Sequence, residues 1–220
     1  IVYFGSQDGA LYAIQASTGR AGWILDTGGP INSSPAVTEG AVCIGSGDRK
    51  VYMRDRFTGQ EIWTFATRGE VNASPAISDG VVYITSEDGH LYALDELAGA
   101  ELWRYKVENP PVRRPAMFSS PAVADGFVYF GNGDTFLYAV AASSGAERWR
   151  FQTSSRVVSS PTVADGIVYI GSRAGVHALD ASTGVERWRF ETGSSVSSSL
   201  AVVGNRLYFG VRDGRIISLF

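Results

Sequence analysis

Short apolar runs of four to six residues, most of them punctuated by glycine, recur along the whole chain, and none carries a 3.6-residue apolar period over a helix-length stretch. Residues 159–197 show the unit most clearly. Ser159-Ser-Pro-Thr-Val163 reads as a first strand, turned by Ala164-Asp-Gly166. Ile167-Val-Tyr-Ile170 is a second, turned by Gly171-Ser-Arg-Ala-Gly175. Val176-His-Ala-Leu179 is a third, and Asp180-Ala-Ser-Thr-Gly184 leads into a fourth, Val185-Glu-Arg-Trp-Arg-Phe190. β-Branched and aromatic runs bounded by Asp-Gly and Thr-Gly are hairpin signals. The second strands are apolar at nearly every position and do not alternate. In an antiparallel sheet that pattern requires burial on both faces, which stacking of successive sheets provides.

The unit repeats. Trp23, Trp63, Trp103, Trp149 and Trp188 share one register at spacings of 40, 40, 46 and 39 residues. A Ser-Pro column holds Pro35, Pro75, Pro121 and Pro161, with Leu200 in the last copy. One tyrosine column runs Tyr3, Tyr83, Tyr129, Tyr169, Tyr208, with Cys43 in the second copy. Another runs Tyr12, Tyr52, Tyr92, Tyr138, with His177 and Ile217 in the later copies. Four strands at a period near 40 predict an all-β, β-propeller architecture of four-stranded antiparallel blades. The expected repeats are 1–32 (partial), 33–72, 73–118, 119–158, 159–197 and 198–220 (partial), all within one domain over 1–220. The first copy lacks its first strand and the last stops after its third. Because an open arc leaves apolar edges, the expectation is a fragment of a ring of about seven or eight blades, with a closed six-bladed ring as the alternative.

The turn before each tryptophan has its own pattern: Ala178-Leu-Asp-Ala-Ser-Thr-Gly-Val-Glu-Arg-Trp188 and Met53-Arg-Asp-Arg-Phe-Thr-Gly-Gln-Glu-Ile-Trp63, with weaker copies ending at Trp23, Trp103 and Trp149. An Asp carboxylate can accept backbone N–H bonds two residues on, and Gly supplies positive φ. The Trp is then expected to lie between blades, with its indole N–H free to find a carbonyl. The five tryptophans are therefore read as structural docking residues.

In this turn the chain resembles the tryptophan-docking repeat of pyrroloquinoline quinone (PQQ) enzymes, over nearly its whole length. The resemblance implies two kinds of function. Quinoprotein dehydrogenases of that family hold the quinone at the ring centre, with a tryptophan on one side, in many members a vicinal-cysteine disulfide on the other, a calcium ion and an Asp base. Here Cys43 is the single cysteine and every tryptophan belongs to the docking column. The recurrent turn acids Asp8, Asp48, Asp88, Asp134 and Asp213 read as hairpin residues. Catalytic residues, resident PQQ, calcium and other metal sites are accordingly not expected. The other branch resembles bacterial outer-membrane assembly lipoproteins and kinase sensor propellers, which implies a non-catalytic recognition or scaffolding module in an extracytoplasmic, periplasmic or cell-surface, setting. A fragment of a PQQ-dependent dehydrogenase and a purely structural spacer are the alternatives.

Composition narrows the partner. A formal net charge of −3 gives no general pull toward nucleic acid or anionic membrane. No apolar run is long enough to span a bilayer, and Ile1 already lies in a strand-like run without the features of a signal peptide. A protein or small anionic ligand is expected on the face where the fourth-to-first and second-to-third connections emerge. That face carries the variation, including the six-residue excess in Val107-Glu-Asn-Pro-Pro-Val-Arg-Arg-Pro-Ala-Met-Phe118. Arg68, Glu108, Arg113, Arg114 and Arg156 are its candidate binding residues, since guanidinium groups grip carboxylates and phosphates bidentately. Lys50 lies in a neighbouring turn. The Ser33-Ser34, Ser119-Ser120, Ser159-Ser160 and Ser198-Ser199 pairs are expected to line a water-filled channel. No His or Lys stands at a fixed offset from them, so serine nucleophile chemistry has no support. Cys43, in a core column, reads as a buried, inert thiol.

Overall fold

The computed structural model describes residues 1–108 and 119–220, and among these every regular element is a strand. They group into two compact units, residues 1–107 and 108–220. In the first unit, β1 (Val2–Gly5), β2 (Ala10–Ile14) and β3 (Ala21–Asp26) form a three-stranded sheet. Two four-stranded sheets follow. The first holds β4 (Ala36–Val37), β5 (Ala41–Ser46), β6 (Lys50–Asp55) and β7 (Glu61–Ala66). The second holds β8 (Ala76–Ser78), β9 (Val81–Ser86), β10 (His90–Asp95) and β11 (Glu101–Lys106). The second unit opens with two four-stranded sheets. One holds β12 (Ala122–Ala124), β13 (Phe127–Gly131), β14 (Phe136–Ala141) and β15 (Glu147–Gln152). The other holds β16 (Thr162–Ala164), β17 (Ile167–Gly171), β18 (Gly175–Asp180) and β19 (Glu186–Glu191). A three-stranded sheet of β20 (Ala201–Val203), β21 (Arg206–Gly210) and β22 (Ile216–Leu219) completes it. Each sheet is an antiparallel meander, the blade of a β-propeller.

The local chemistry explains the strands. Asp79-Gly80, Asp125-Gly126 and Asp165-Gly166 all take positive φ, the conformation a tight two-residue hairpin demands. β5 is buried at every position and β9 at all but its first, as continuous apolar runs require. Fourth strands instead alternate and leave an exposed outer edge. A register shift recurs in each docking strand pair, at Ala13/Ile14, Met53/Arg54, Ala93/Leu94, Ala139/Val140 and Ala178/Leu179. Such bulges increase twist.

The docking turn works as a joint between neighbouring sheets. Asp55 Oδ1 accepts the N–H groups of Phe57 and Thr58 at 3.0 and 2.8 Å, which orders the turn. Gly59 then sits at φ +73° against the Trp23 ring of the preceding sheet. Gly99 against Trp63 and Gly184 against Trp149 repeat the contact. The indole N–H groups of Trp23, Trp63 and Trp149 donate to the carbonyls of Arg56, Glu96 and Ala181, in the same turns. Tyr3 and Tyr129 hydroxyls donate to the Arg56 and Ala181 carbonyls as well, at 2.7 and 3.0 Å, so two side chains converge on one acceptor. Cys43 occupies that tyrosine position in the second sheet, fully buried, with its thiol pKa raised by burial. Trp188 packs 5.9 Å from Tyr169 but remains 37% exposed.

The serine pairs correct one expectation. Ser33, Ser119 and Ser159 do not line a channel; all three are buried. Ser33 Oγ donates to the Gly45 carbonyl at 2.8 Å and accepts the Gly45 N–H at 3.1 Å. Ser159 clips Gly171 in the same way at 3.1 and 2.7 Å, and Ser198 clips Gly210. The second serines link neighbouring sheets: the Ser34 N–H donates to Ser74 Oγ and the Ser120 N–H to Ser160 Oγ. The first strand accordingly begins later than its sequence pattern, at Thr162 rather than Ser159, because the serine side chain and the proline replace ladder bonds there. Ser159→Ala leaves the buried Gly171 N–H and carbonyl without that partner and is expected to lower stability by about 1–3 kcal/mol in a denaturant titration.

Burial also fixes an alkaline limit. Burial raises the Tyr129 hydroxyl from its ordinary 10.0 to about 12, and burial followed by hydrogen bonding to Asp48 and Asp88 raises Tyr52 and Tyr92. The neutral phenol is the form the fold prefers. Its contribution is therefore whole below pH 10 and is lost as pH climbs toward about 12. Tyrosinate absorbance should rise in two stages, the later one coincident with loss of the β-sheet circular dichroism signal.

Candidate functional site

The second-to-third turns and the fourth-to-first connections come together within each unit, as the propeller reading requires. The Gly47 N–H donates to the Pro30 carbonyl at 2.8 Å and the Glu87 N–H to the Glu70 carbonyl at 2.8 Å; the Arg212 N–H donates to the Ser195 carbonyl at 2.9 Å. The turn acids have structural partners. Asp48 accepts the Tyr52 hydroxyl at 2.5 Å and the Gly28 N–H at 3.1 Å. Asp88 accepts the Tyr92 hydroxyl at 2.8 Å, the Arg68 N–H at 2.9 Å and a bond with His90 Nδ1 at 3.0 Å. Burial alone would raise the Asp88 pKa, but these bonds outweigh it and hold the carboxyl below its usual range. Tyr12 with Asp8 and Tyr138 with Asp134 repeat the pair at 2.7 and 2.6 Å. Among the described residues, no three His, Cys, Asp or Glu side chains gather where they could hold a metal ion.

The fifth sheet breaks the tyrosine–aspartate pattern. His177 stands in the tyrosine column, and its turn contains no Asp. His177 Nδ1 instead pairs with Glu186 Oε1 at 2.7 Å, and its Nε2 lies 3.0 Å from Ser172 Oγ. The sequence pairs neither His90 nor His177 with an acid, yet each proves to have a carboxylate partner. Ser172 is buried, and its Oγ also contacts the Gly175 carbonyl and the Ala174 N–H at 3.2 Å. A cavity of about 290 Å³ beside the relay is lined by His177 and Glu186 but not by Ser172. The serine is thus held behind the imidazole rather than presented to a substrate, and the trio replaces the tyrosine–aspartate brace.

The candidate binding residues separate. Arg68 is exposed in the first unit, where its N–H braces Asp88. Arg113 and Arg114 lie outside the described residues. Glu108 lines a cavity of about 460 Å³ with Asp134, Tyr138 and Arg150. Arg156 lines a different one, of about 530 Å³, together with Arg173, Arg212, Ser154, Ser155 and Ser195. Arg173 and Arg212 escape the sequence reading. They share the turn position held by Gly47, Glu87 and Gly133 in other sheets, and a comparison of that column for charge would have found them. Lys50 begins β6 and faces Asp48 at 3.9 Å.

Comparison with known proteins agrees with this architecture. The family described as outer membrane protein assembly factor BamB matches residues 7–135 and 114–220. No curated protein matches the chain by sequence. Among solved structures, BamB from Moraxella catarrhalis is similar with a TM-score of 0.83 and 21% identity over 99% of this chain and 69% of that one. The computationally designed Ika8 protein gives 0.85 and 23% over 98% and 66%. The quinohemoprotein alcohol dehydrogenase from Comamonas testosteroni gives 0.75 and 20% over 86% and 41%. These likenesses show the fold, and the chain spans about two thirds or less of each of those chains. Its matched residues cover nearly all of its length, and on that ground the chain belongs to the family of the outer membrane protein assembly factor BamB, a branch of the PQQ-like β-propellers.

Proposed function

We propose that this chain is a non-catalytic, protein-binding module of outer-membrane protein assembly, acting in an extracytoplasmic compartment. The observation that carries the reading is the family match over residues 7–135 and 114–220. The chemistry of the side chains supports it. The carboxylates that could have served a calcium ion are engaged by tyrosine hydroxyls and backbone N–H groups, and three of the tryptophans donate to carbonyls of the neighbouring sheet. This donor set does not fit PQQ with calcium. The likeness to a quinohemoprotein dehydrogenase is a likeness of blades, at 20% identity.

The test is functional replacement. The chain, exported by a cleavable leader into a bacterium deleted for its own member of the family, should restore the level of outer-membrane β-barrel proteins. Failure to restore it, with the chain folded and present outside the cytoplasm, would contradict the assembly role.

A further inference from the structure

Four arginines elsewhere in the second unit are paired with acids. Arg187 pairs with Asp180 at 2.6 Å, Arg215 with Asp213 at 2.6 Å, Arg150 with Glu147 at 3.7 Å and Arg189 with Glu191 at 3.8 Å. Arg156, Arg173 and Arg212 have no ion-pair partner among the described residues, are exposed, and border one cavity of about 530 Å³. They come from three connections of the second unit: the one after β15, the turn after β17 and the turn after β21; the connection after β19, which carries Ser195, falls between the last two. Among the described residues, no acidic side chain lines that cavity, and Val158 is its one large apolar wall.

The fold does not require arginine at these places. In the first unit the positions equivalent to Arg156 are Pro30 and Glu70, and those equivalent to Arg173 and Arg212 are Gln7, Gly47 and Glu87. Asn72 Nδ2 bridges those two acids at 3.1 and 2.9 Å. The same backbone frame thus carries negative charge in one unit and positive charge in the other. Its backbone is set in both by the same type of contact: the Glu87 N–H donates to the Glu70 carbonyl at 2.8 Å and the Arg212 N–H to the Ser195 carbonyl at 2.9 Å. The charge is free to serve recognition.

We propose that Arg156, Arg173 and Arg212 form a docking site for an acidic peptide segment of a protein partner, a reading that rests on the recognition role above. Three guanidinium groups from three separate connections suit several carboxylates spaced along an extended chain better than one compact anion. The hydroxyl-rich walls of Ser154, Ser155 and Ser195 offer hydrogen bonds to a peptide and little apolar area to a hydrophobic ligand. Because the arginines are exposed, binding is of moderate strength and sensitive to salt.

The test is fluorescence anisotropy of the intact chain with a fluorescein-labelled hexaglutamate peptide and its hexaglutamine counterpart. Saturable binding of hexaglutamate alone is expected, weakening by about tenfold or more in the R156Q/R173Q/R212Q variant and with added salt. Arg20→Gln, at an exposed arginine of the other unit, should leave it unchanged. Circular dichroism of the triple variant confirms that it is folded. Absence of binding, equal binding by the triple variant, or full displacement by inorganic phosphate at a concentration matching the peptide's carboxylates would overturn the proposal. If hexaglutamate fails while the chain still restores outer-membrane protein levels, this site is wrong and the assembly role stands. If it binds but replacement fails, the reverse holds.

Discussion

Trp63→Ala is expected to remove about 3–5 kcal/mol of stability, the largest loss for a single truncation in the docking column. Trp63 is 6% exposed, its ring covers Gly99 of the next sheet, and its N–H satisfies the Glu96 carbonyl at 2.8 Å. Truncation empties the space between two sheets and removes the bond that fixes their spacing. Cys43 stands where Tyr3 and Tyr129 reinforce the equivalent acceptor in other sheets, so no second hydroxyl is in place to compensate. The same change at Trp188, 37% exposed, should cost far less. Equilibrium denaturation of the two variants measures the contrast, and equal losses would show that the ring is not the joint.

Gly99→Val attacks the joint from its other side. Gly99 holds φ +67°, and a Cβ there would stand 2.6 Å from Trp63 Cδ2. A β-branched residue in the left-handed region costs about 1–2 kcal/mol, and overlap with a packed ring adds about 1–3 kcal/mol. The two changes should couple. In a Trp63→Ala background the overlap disappears and only the backbone cost remains, so the double variant should be more stable than the sum of the singles by about 1–3 kcal/mol. Strict additivity would place the glycine's role in its turn alone.

What the residues disclosed in advance was whatever recurs. The tryptophans, the Asp-Gly hairpins and the Thr-Gly docking turns each demand one backbone conformation or one burial pattern. Repeating them at a period near 40 leaves few folds to choose from. The clips made by Ser33 and Ser159 were harder to see. A serine beside a proline at a strand entrance looks equally suited to water, and only the approach of Gly45 or Gly171 within bonding distance shows otherwise. The His177 brace was hidden for a related reason. Its partners Ser172 and Glu186 stand on either side of it in sequence, at unequal intervals, and meet only through the turn and through the pairing of β18 with β19. The arginine cavity was half visible. Arg156 was conspicuous in a loop, whereas Arg173 and Arg212 passed as ordinary turn residues until adjacent connections placed them on one cavity.

The acid side of the pH profile follows from the turns. Hydrogen bonds from Arg187, Ser182 and Thr183 hold the Asp180 carboxyl well below its usual range, and bonds from Thr58 and Phe57 lower Asp55. A lowered folded-state pKa contributes stability above the ordinary carboxylate range and loses it as pH falls through the lowered value. The docking turns should therefore persist into mild acid and fail only in strong acid.

Whether this blade set recognises a protein or handles a quinone is tested most directly by calorimetric titration of the folded chain with PQQ in the presence of calcium. No saturable heat is expected, because the turn carboxylates already serve tyrosines and backbone. Saturable binding at one site, with micromolar or tighter affinity, would contradict it and make the chain part of a quinone enzyme.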